Sequence, residues 1–280
     1  MPKMIVTHKN PDLDAIVSAW LLVRFDQPRY GDAALAFVPA GGTYKGEPVD
    51  SDENITHVDV GMGRFDHHQK GVEGTCASKL VWHHLVEQGL VSPSDTALIA
   101  MVDHSLAIDV FADVSWPESQ EDRFAFTLSE TIPAIHRLQL YDNEAVLRAA
   151  FLYLDGVYQR LKDVQQAKEA IAGGQTFTSA WGRSLAVATG ADDISKVAQK
   201  MGYELVAIQD PQKGYLKIKL RPGAKRNLAS LYDRIVALES PQKWFFHNSG
   251  LMLFNGSDKG APKEPSILTL EDLITLIKEV

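Results

Sequence analysis

An apolar run at residues 4–7, Met-Ile-Val-Thr, gives way to the polar Asn10-Pro11-Asp12, and apolar positions at helical spacing then occupy residues 15–23. The pattern predicts a strand, an acidic loop and a helix. A second apolar run at 34–38 stops at Pro39-Ala40-Gly41-Gly42, and a third, 55–60, alternates into Gly61 and Gly63. Thr75 or Ser78 stands where it would cap a helix carrying Leu80, Val81, Leu85 and Val86, and Ser92-Pro93 opens another through Met101. Strands alternating with helices predict a mainly parallel sheet covered on both faces.

Residues 118–172 read as helical, with Leu128, Ile132, Ile135 and Leu138 on one apolar stripe and Ala149, Leu152, Tyr153 and Val157 on another. Gly173-Gly174-Gln175 breaks that pattern. Strands follow at 184–188, 205–209 and 216–220, with a helix at 192–200, and the turn at 211–214 marks a hairpin. A helix at 228–238, a strand at 251–254 and a helix at 270–277 complete the chain. The expected fold class is α/β: a mainly parallel-sheet domain at 1–117, a helical connector at 118–176, and a smaller α/β domain at 177–280.

The 280 residues, 45% of them hydrophobic, suffice for two ordinary cores. Cys76 is the sole cysteine, so no internal disulfide forms, and the longest apolar runs are too short to span a bilayer. The start Met1-Pro2-Lys3-Met4 enters a strand without the apolar segment of a secretory signal. A cytoplasmic protein with no membrane partner is therefore expected. The net charge of −8 argues against a broad grip on long duplex DNA but leaves short or single-stranded substrates open. Divalent cations held by acids would reverse the local field.

His8, Asp12, Asp14, Asp59, Asp66, His67 and His68 all fall just beyond C-terminal ends of predicted strands, where open α/β sheets bind ligands. Converging carboxylates repel one another and move toward protonation unless a cation neutralises them. Mixed histidine and aspartate donors suit manganese, iron or zinc better than calcium or magnesium. Two cations sharing one aspartate would activate water and stabilise phosphoryl charge. Asp59, at the end of the third strand, is the expected bridge. His8 and Asp12 would hold one cation, and Asp14, His67 and Asp103, from "IAMVDHSLAID", the other. The bland alternatives are an Asx turn at Asn-Pro-Asp, a helix cap at Asp14 and a structural histidine pair. Separate loops supplying compatible donors at one sheet edge favour metal.

These residues carry a resemblance. His8-x3-Asp12-x-Asp14-Ala15, Asp59, Asp66-His67-His68 and Asp103 resemble the four motifs of the DHH phosphoesterase superfamily, which includes RecJ-like single-strand exonucleases, short-oligonucleotide and cyclic-dinucleotide hydrolases, and manganese-dependent inorganic pyrophosphatases. The resemblance covers residues 6–109. It implies two divalent cations, Mn2+ first, with Mg2+, Fe2+ and Co2+ as alternatives. It also implies catalytic roles for Asp59, Asp66 and His68, with His68 facing the substrate phosphate and Asp66 orienting the histidines. The compact "DVGMGRFDHHQKG" and the later "GTCASKLVWHHL" look closer to the metal-dependent protein hydrolase branch related to manganese-dependent RNA exonucleases.

In the C-terminal domain, "FFHNSGLMLF" offers His247, Asn248, Ser249 and Gly250 as donors to phosphate or ribose. It is similar only loosely to a DHH substrate loop: Phe245-Phe246 replaces the glycine run, and the alanine pair is absent. A surface turn feeding a strand is the competing reading. Arg221 is the best cation for substrate in a basic stretch with Lys217, Lys219, Lys225 and Arg226, because Pro222-Gly223 ends the strand beside it. His83 and His84 are read as structural or exposed, His136 as part of the helical connector, and His104 as a neighbour of the site.

The expected function is a metal-dependent phosphodiester hydrolase acting on short or single-stranded RNA or oligonucleotides. The alternatives are a manganese-dependent pyrophosphatase or small-nucleotide phosphohydrolase, and a non-catalytic phosphate-ligand or nucleic-acid-binding protein. The full acidic set counts against the last. The expected partners are a phosphate-containing small molecule or a short single-stranded nucleic acid, with a homodimer left open.

Overall fold

Ile5 and Val6 are buried in the middle of β1 (Met4–His8), which lies at the centre of a three-stranded parallel sheet in the computed structural model. The structure describes residues 3–69, 73–256 and 264–280; Met1 and Pro2 of the chain start, and Lys70 and Gly71 of the compact motif, lie outside the described residues. The flanking strands are β2 (Ala34–Val38) and β3 (Ile55–His57), with His8 opposite Val38 and Val6 opposite His57. Parallel pairing brings all three C-terminal ends to one edge. β3 is shorter than the expected 55–60. The Val58 N–H still donates to the Val6 carbonyl at 2.9 Å, but Asp59 then takes φ 55° and turns the chain out of the ladder.

Asp12 caps α1 (Leu13–Phe25), its Oδ1 accepting the Ala15 N–H at 3.1 Å. Asp14, the residue read from sequence as a possible cap, lies inside the helix. α1 is buried from Leu13 to Leu22, and α2 (Gln27–Tyr30) follows at once. α1 packs against α3 (Ala77–Glu87) and α4 (Thr96–Asp109). Neither Thr75 nor Ser78 caps α3: its N-cap position is Cys76, which makes no side-chain cap bond. α4 opens at Thr96 rather than at Ser92-Pro93, because Asp95 Oδ1 accepts the N–H groups of Ala97 and Leu98.

α5 (Leu128–Leu138) buries Ile132 but leaves Leu138 exposed. In α6 (Asn143–Ala172) the expected stripe points outward: Leu152, Tyr153 and Val157 are exposed, and Val146, Leu147, Ala150 and Leu154 are buried. Two apolar stripes share this helix, and both satisfy helical spacing. A tertiary bond selects between them, with Trp20 Nε1 donating to Asp155 Oδ1 at 3.1 Å beside an edge-to-face cluster of Trp20, Phe25 and Tyr158.

The chain divides into two compact units within α6, Met1–Arg160 and Leu161–Val280, where the sequence suggests a separate connector at 118–176. The second unit carries a six-stranded sheet of β4 (Gln175–Ser179), β5 (Gly182–Ala188), β6 (Leu205–Gln209), β7 (Leu216–Leu220), β8 (Phe245–Phe246) and β9 (Met252–Phe254), in the order β4-β5-β6-β7-β9-β8. Only β5 and β6 pair in parallel, and the expected β6–β7 hairpin is antiparallel. β4 and β8 have no counterpart in the sequence reading. β4 buries Phe177 alone among polar residues, and β8 is two residues long, so neither leaves a periodic signal.

One face of the sheet packs Ala207, Ile218 and Leu253 against α8 (Ala229–Val236) and α9 (Leu270–Lys278). The other packs Leu185, Val187 and Val206 against α7 (Ile194–Lys200) and the end of α6. The architecture is α/β, a parallel sheet followed by helices and then a mixed sheet. Among the described residues, no helix is long and apolar enough to cross a membrane.

Candidate metal centre

The parallel edge of the first sheet gathers His8, at the end of β1, with Asp12 of the following loop and Asp59 beyond β3. His8 Nε2 lies 3.4 Å from Asp59 Oδ2 and 3.9 Å from Asp12 Oδ1. Its Nδ1–H donates to the Lys9 carbonyl at 3.0 Å, which turns Nε2 toward the acids. The other oxygen of Asp59, Oδ1, lies 3.3 Å from His67 Nε2 and 3.8 Å from His68 Nδ1. Asp59 therefore belongs to two donor groups at once. Its left-handed φ is tolerated best by Asn, Asp and Gly, and a second turn bond, Asp59 N–H to the Phe65 carbonyl, holds it.

Asp14, His67 and Asp109 form the third group, with His67 Nε2 at 4.0 Å from Asp14 Oδ2 and 3.6 Å from Asp109 Oδ2. Asp14 is already well bonded. Its Oδ2 accepts the Ala77 N–H, and its Oδ1 accepts the Ser78 N–H and the Ser105 hydroxyl. A carboxylate at the N-terminus of α3 meets both free N–H groups and the positive end of the helix dipole. Its capacity toward a cation is thereby confined mainly to Oδ2.

Asp66 is buried and serves His68. One oxygen, Oδ1, accepts the His68 N–H at 3.1 Å and lies 2.8 Å from His68 Nδ1, while Oδ2 accepts the Met62 N–H at 2.7 Å. The same carboxylate thus fixes the tight turn and the ring of a histidine that remains 55% exposed.

The electrostatics show a cluster short of positive charge. Burial disfavours the His8 imidazolium, but the nearby Asp12 and Asp59 carboxylates outweigh it and lift the ring from 6.5 to about 10. Asp59 chiefly raises His67 to about 9 against the effect of burial, with Asp109 and Asp14 adding to it. Burial raises Asp109 to about 6, helped by the charge of Asp14. Asp14 is likewise pushed up by burial and by Asp59. Burial opposes ionisation of Asp12 as well, but His8 and the Ala15 N–H hold it below the usual range. Asp66 is similar, with His68 overcoming burial. Among the described residues, the buried Asp59 Oδ1 and His67 Nε2 have no hydrogen-bond partner, the state expected of atoms that share a cation.

Asp103 does not join this centre. It is exposed on α4, and Asp109, six positions later at the end of the same helix, occupies the place expected of it. Six residues turn an α-helix by roughly 600°, which puts the two carboxylates on different faces. The signal for Asp109 lies in the sequence, since "IAMVDHSLAID" ends on it. His104 is also exposed and lies against Trp116. His136, read as part of the helical connector, instead reaches the loop of Asp12, its Nε2–H donating to the Pro11 carbonyl at 3.1 Å.

In the second unit, residues 247–250 form a tight turn between β8 and β9, closed by the Gly250 N–H to the His247 carbonyl at 2.8 Å. Gly250 has φ 69°, and a Cβ there would lie 2.9 Å from Asn227 Cβ, so glycine is required. His247 Nδ1 accepts the Ser249 N–H, which places the ring proton on an outward Nε2. Asn248 is exposed. Arg221 pairs with Glu204 at 3.1 Å. Lys217 and Lys219 are half-buried on one face of β7, and burial and the neighbouring ammonium lower Lys219.

No family model matches the chain, and no curated protein matches it. Among solved structures, an exonuclease RecJ bound to manganese overlaps it with TM-score 0.32 at 14% identity, over 99% of this chain and 90% of that one. RecJ from Thermus thermophilus in complex with Mn2+ overlaps with TM-score 0.30 at 13% identity, over 99% of this chain and 52% of that one. A DHH domain from a member of the s1p family of ribosomal proteins gives TM-score 0.34 at 10% identity, over 99% and 86%. Overlap at that level leaves the class of protein to be decided by the site.

Proposed function

We propose that this chain is a metal-dependent phosphoesterase of the DHH type that hydrolyses phosphodiester bonds in short or single-stranded oligonucleotides, RNA first. The observation that carries the reading is Asp59, one buried carboxylate whose two oxygens face different histidine and aspartate groups. The donors fit two divalent cations: His8, Asp12 and Asp59 for one, and Asp14, His67 and Asp109 with Asp59 for the other. Bound there, Mn2+ would lower the pKa of water and neutralise charge on the phosphoryl oxygens.

The chain's own groups supply the rest. The Asp66 carboxylate accepts Nδ1–H of His68, and the exposed His68 Nε2 is left to exchange a proton with a substrate oxygen. Burial of Asp59 and Asp14 keeps water from competing for their oxygens. In the second unit, the Nε2–H of His247, the Asn248 amide, the Ser249 hydroxyl and the Gly250 turn are assigned to substrate phosphate or ribose. Arg221 joins them only by exchanging its Glu204 partner for phosphate.

The deciding experiment is hydrolysis of short 5'-labelled RNA and DNA with Mn2+, beside pyrophosphate and small-nucleotide controls, for the wild type and Asp59→Asn. Trimming by the wild type that is lost in the variant supports the reading. Turnover of pyrophosphate alone moves the substrate to a small phosphoanhydride. Inactivity toward every substrate with two Mn2+ bound removes the hydrolase assignment.

A further inference from the structure

A cleft of about 360 Å³ opens on Asp12, lined also by Asn10, Pro11, His136, Arg137 and Gln139. That volume lies within the range of roughly 300–1,000 Å³ typical of small-molecule sites. It exceeds what a single phosphoryl group fills.

The walls are held in place. His136 Nε2–H binds the Pro11 carbonyl, and the Asn10 N–H donates to Asn143 Oδ1 at 3.0 Å, so α5 and the start of α6 both grip the loop that presents Asp12. Asn10 and Gln139 sit at left-handed φ of 53° and 54° on this rim. Asn10 is fixed there by the Asn143 side chain, and Gln139 ends α5 with its N–H donating to the His136 carbonyl, so the rim is preorganised. Its one cation is Arg137, in the last turn of α5, which forms no ion pair among the described residues although Asp12 lines the same cleft. A guanidinium free of carboxylate partners presents a planar fork of donors suited to phosphate.

We infer that this cleft is the subsite for the nucleotide next to the scissile phosphodiester, with Arg137 pairing with that nucleotide's own phosphate. The inference rests on the phosphoesterase reading and narrows its substrate to chains with a second phosphate flanking the reacting one. Pyrophosphate and simple diesters would leave the cleft empty. Arg137 is then a specificity-determining residue and not a catalytic one.

The test uses the full chain as wild type, Arg137→Gln and a control, Arg148→Gln, on α6, whose guanidinium pairs with Glu144 in solvent. Calorimetric titration of metal-free protein with AMP is expected to show binding that weakens by about tenfold or more in Arg137→Gln, the loss of one charge-assisted pair. The control should bind as wild type. With Mn2+, the ratio of kcat/KM for the dinucleotide pApA to that for bis(p-nitrophenyl) phosphate should fall by a similar factor in Arg137→Gln, through KM. AMP binding by Arg137→Gln equal to wild type, or no AMP binding by wild type, overturns the subsite. Absence of turnover of either diester by the Mn2+-loaded wild type overturns the phosphoesterase reading instead, and the AMP titration still decides the cleft.

Discussion

The Asp14 carboxylate on α1 accepts the N–H of Ala77 at 2.7 Å and so closes the first turn of α3, across 63 positions of sequence. A candidate metal ligand is thus also a structural cap. Asp14→Ala strands the N–H groups of Ala77 and Ser78 and the Ser105 hydroxyl in a buried site. Relief of the repulsion from Asp59 offsets part of that loss. The expected net cost in metal-free protein is about 1–3 kcal/mol, read from the urea midpoint. A midpoint equal to wild type would show that α3 does not depend on this cap.

Asp103 and Asp109 separate the two ways of reading α4. Asp109→Asn removes a carboxylate 3.6 Å from His67 Nε2 and should weaken one of two Mn2+ equivalents by about 10–100-fold. Asp103→Asn, at an exposed position, should titrate as wild type. The reverse result, measured by calorimetry, would return the fourth ligand to Asp103.

Protons and metal compete for the same imidazoles. His8 is raised from 6.5 to about 10 and His67 from 6.5 to about 9, so their contribution to metal-free stability is complete below about pH 6.5 and is lost as pH rises through 9 and 10. Asp109, raised from 3.8 to about 6, adds stability that is already lost between those values. Asp12 and Asp66 are lowered and act oppositely: their contribution is present above 3.8 and is lost as pH falls below it. Thermal scans in EDTA should therefore show Tm falling from pH 6.5 to 9. With Mn2+ the fall should shrink or reverse, because deprotonated imidazoles bind the cation. Parallel curves with and without Mn2+ would remove the histidines from the metal site.

Asp66 acts through His68, so Asp66→Ala should lower kcat for oligonucleotide hydrolysis by about 10–100-fold with a small change in KM. The Met62 N–H also loses its partner. Mn2+ titration separates the two effects, since a collapsed turn would displace Asp59 and abolish binding, whereas a loosened His68 would leave it.

Most of the candidate centre is legible in the sequence because its donors are local to strand ends. Three apolar runs of strand length imply parallel strands, parallel strands share a C-terminal edge, and His8, Asp12, Asp59 and His67 follow those runs directly. Asp59 lies beside that edge although the strand ends at His57, since a turn moves a side chain less than an error in sheet order would.

What the chain by itself determined was where most helices and strands lie, the weakly patterned β4 and β8 excepted, and which loops carry carboxylates and imidazoles, because those follow from spacing along the backbone. Tertiary structure alone decided which face of each helix turns inward. On α4 it selected Asp109 over Asp103, on α6 Leu147 over Leu152, and it sent Asp14 to cap α3 while Asp12 capped α1. It also drew His136 and Arg137 to the cleft beside Asp12. A helical repeat fixes the angle between side chains but not the rotation of the helix about its axis. That rotation is set by contacts with neighbours distant in sequence.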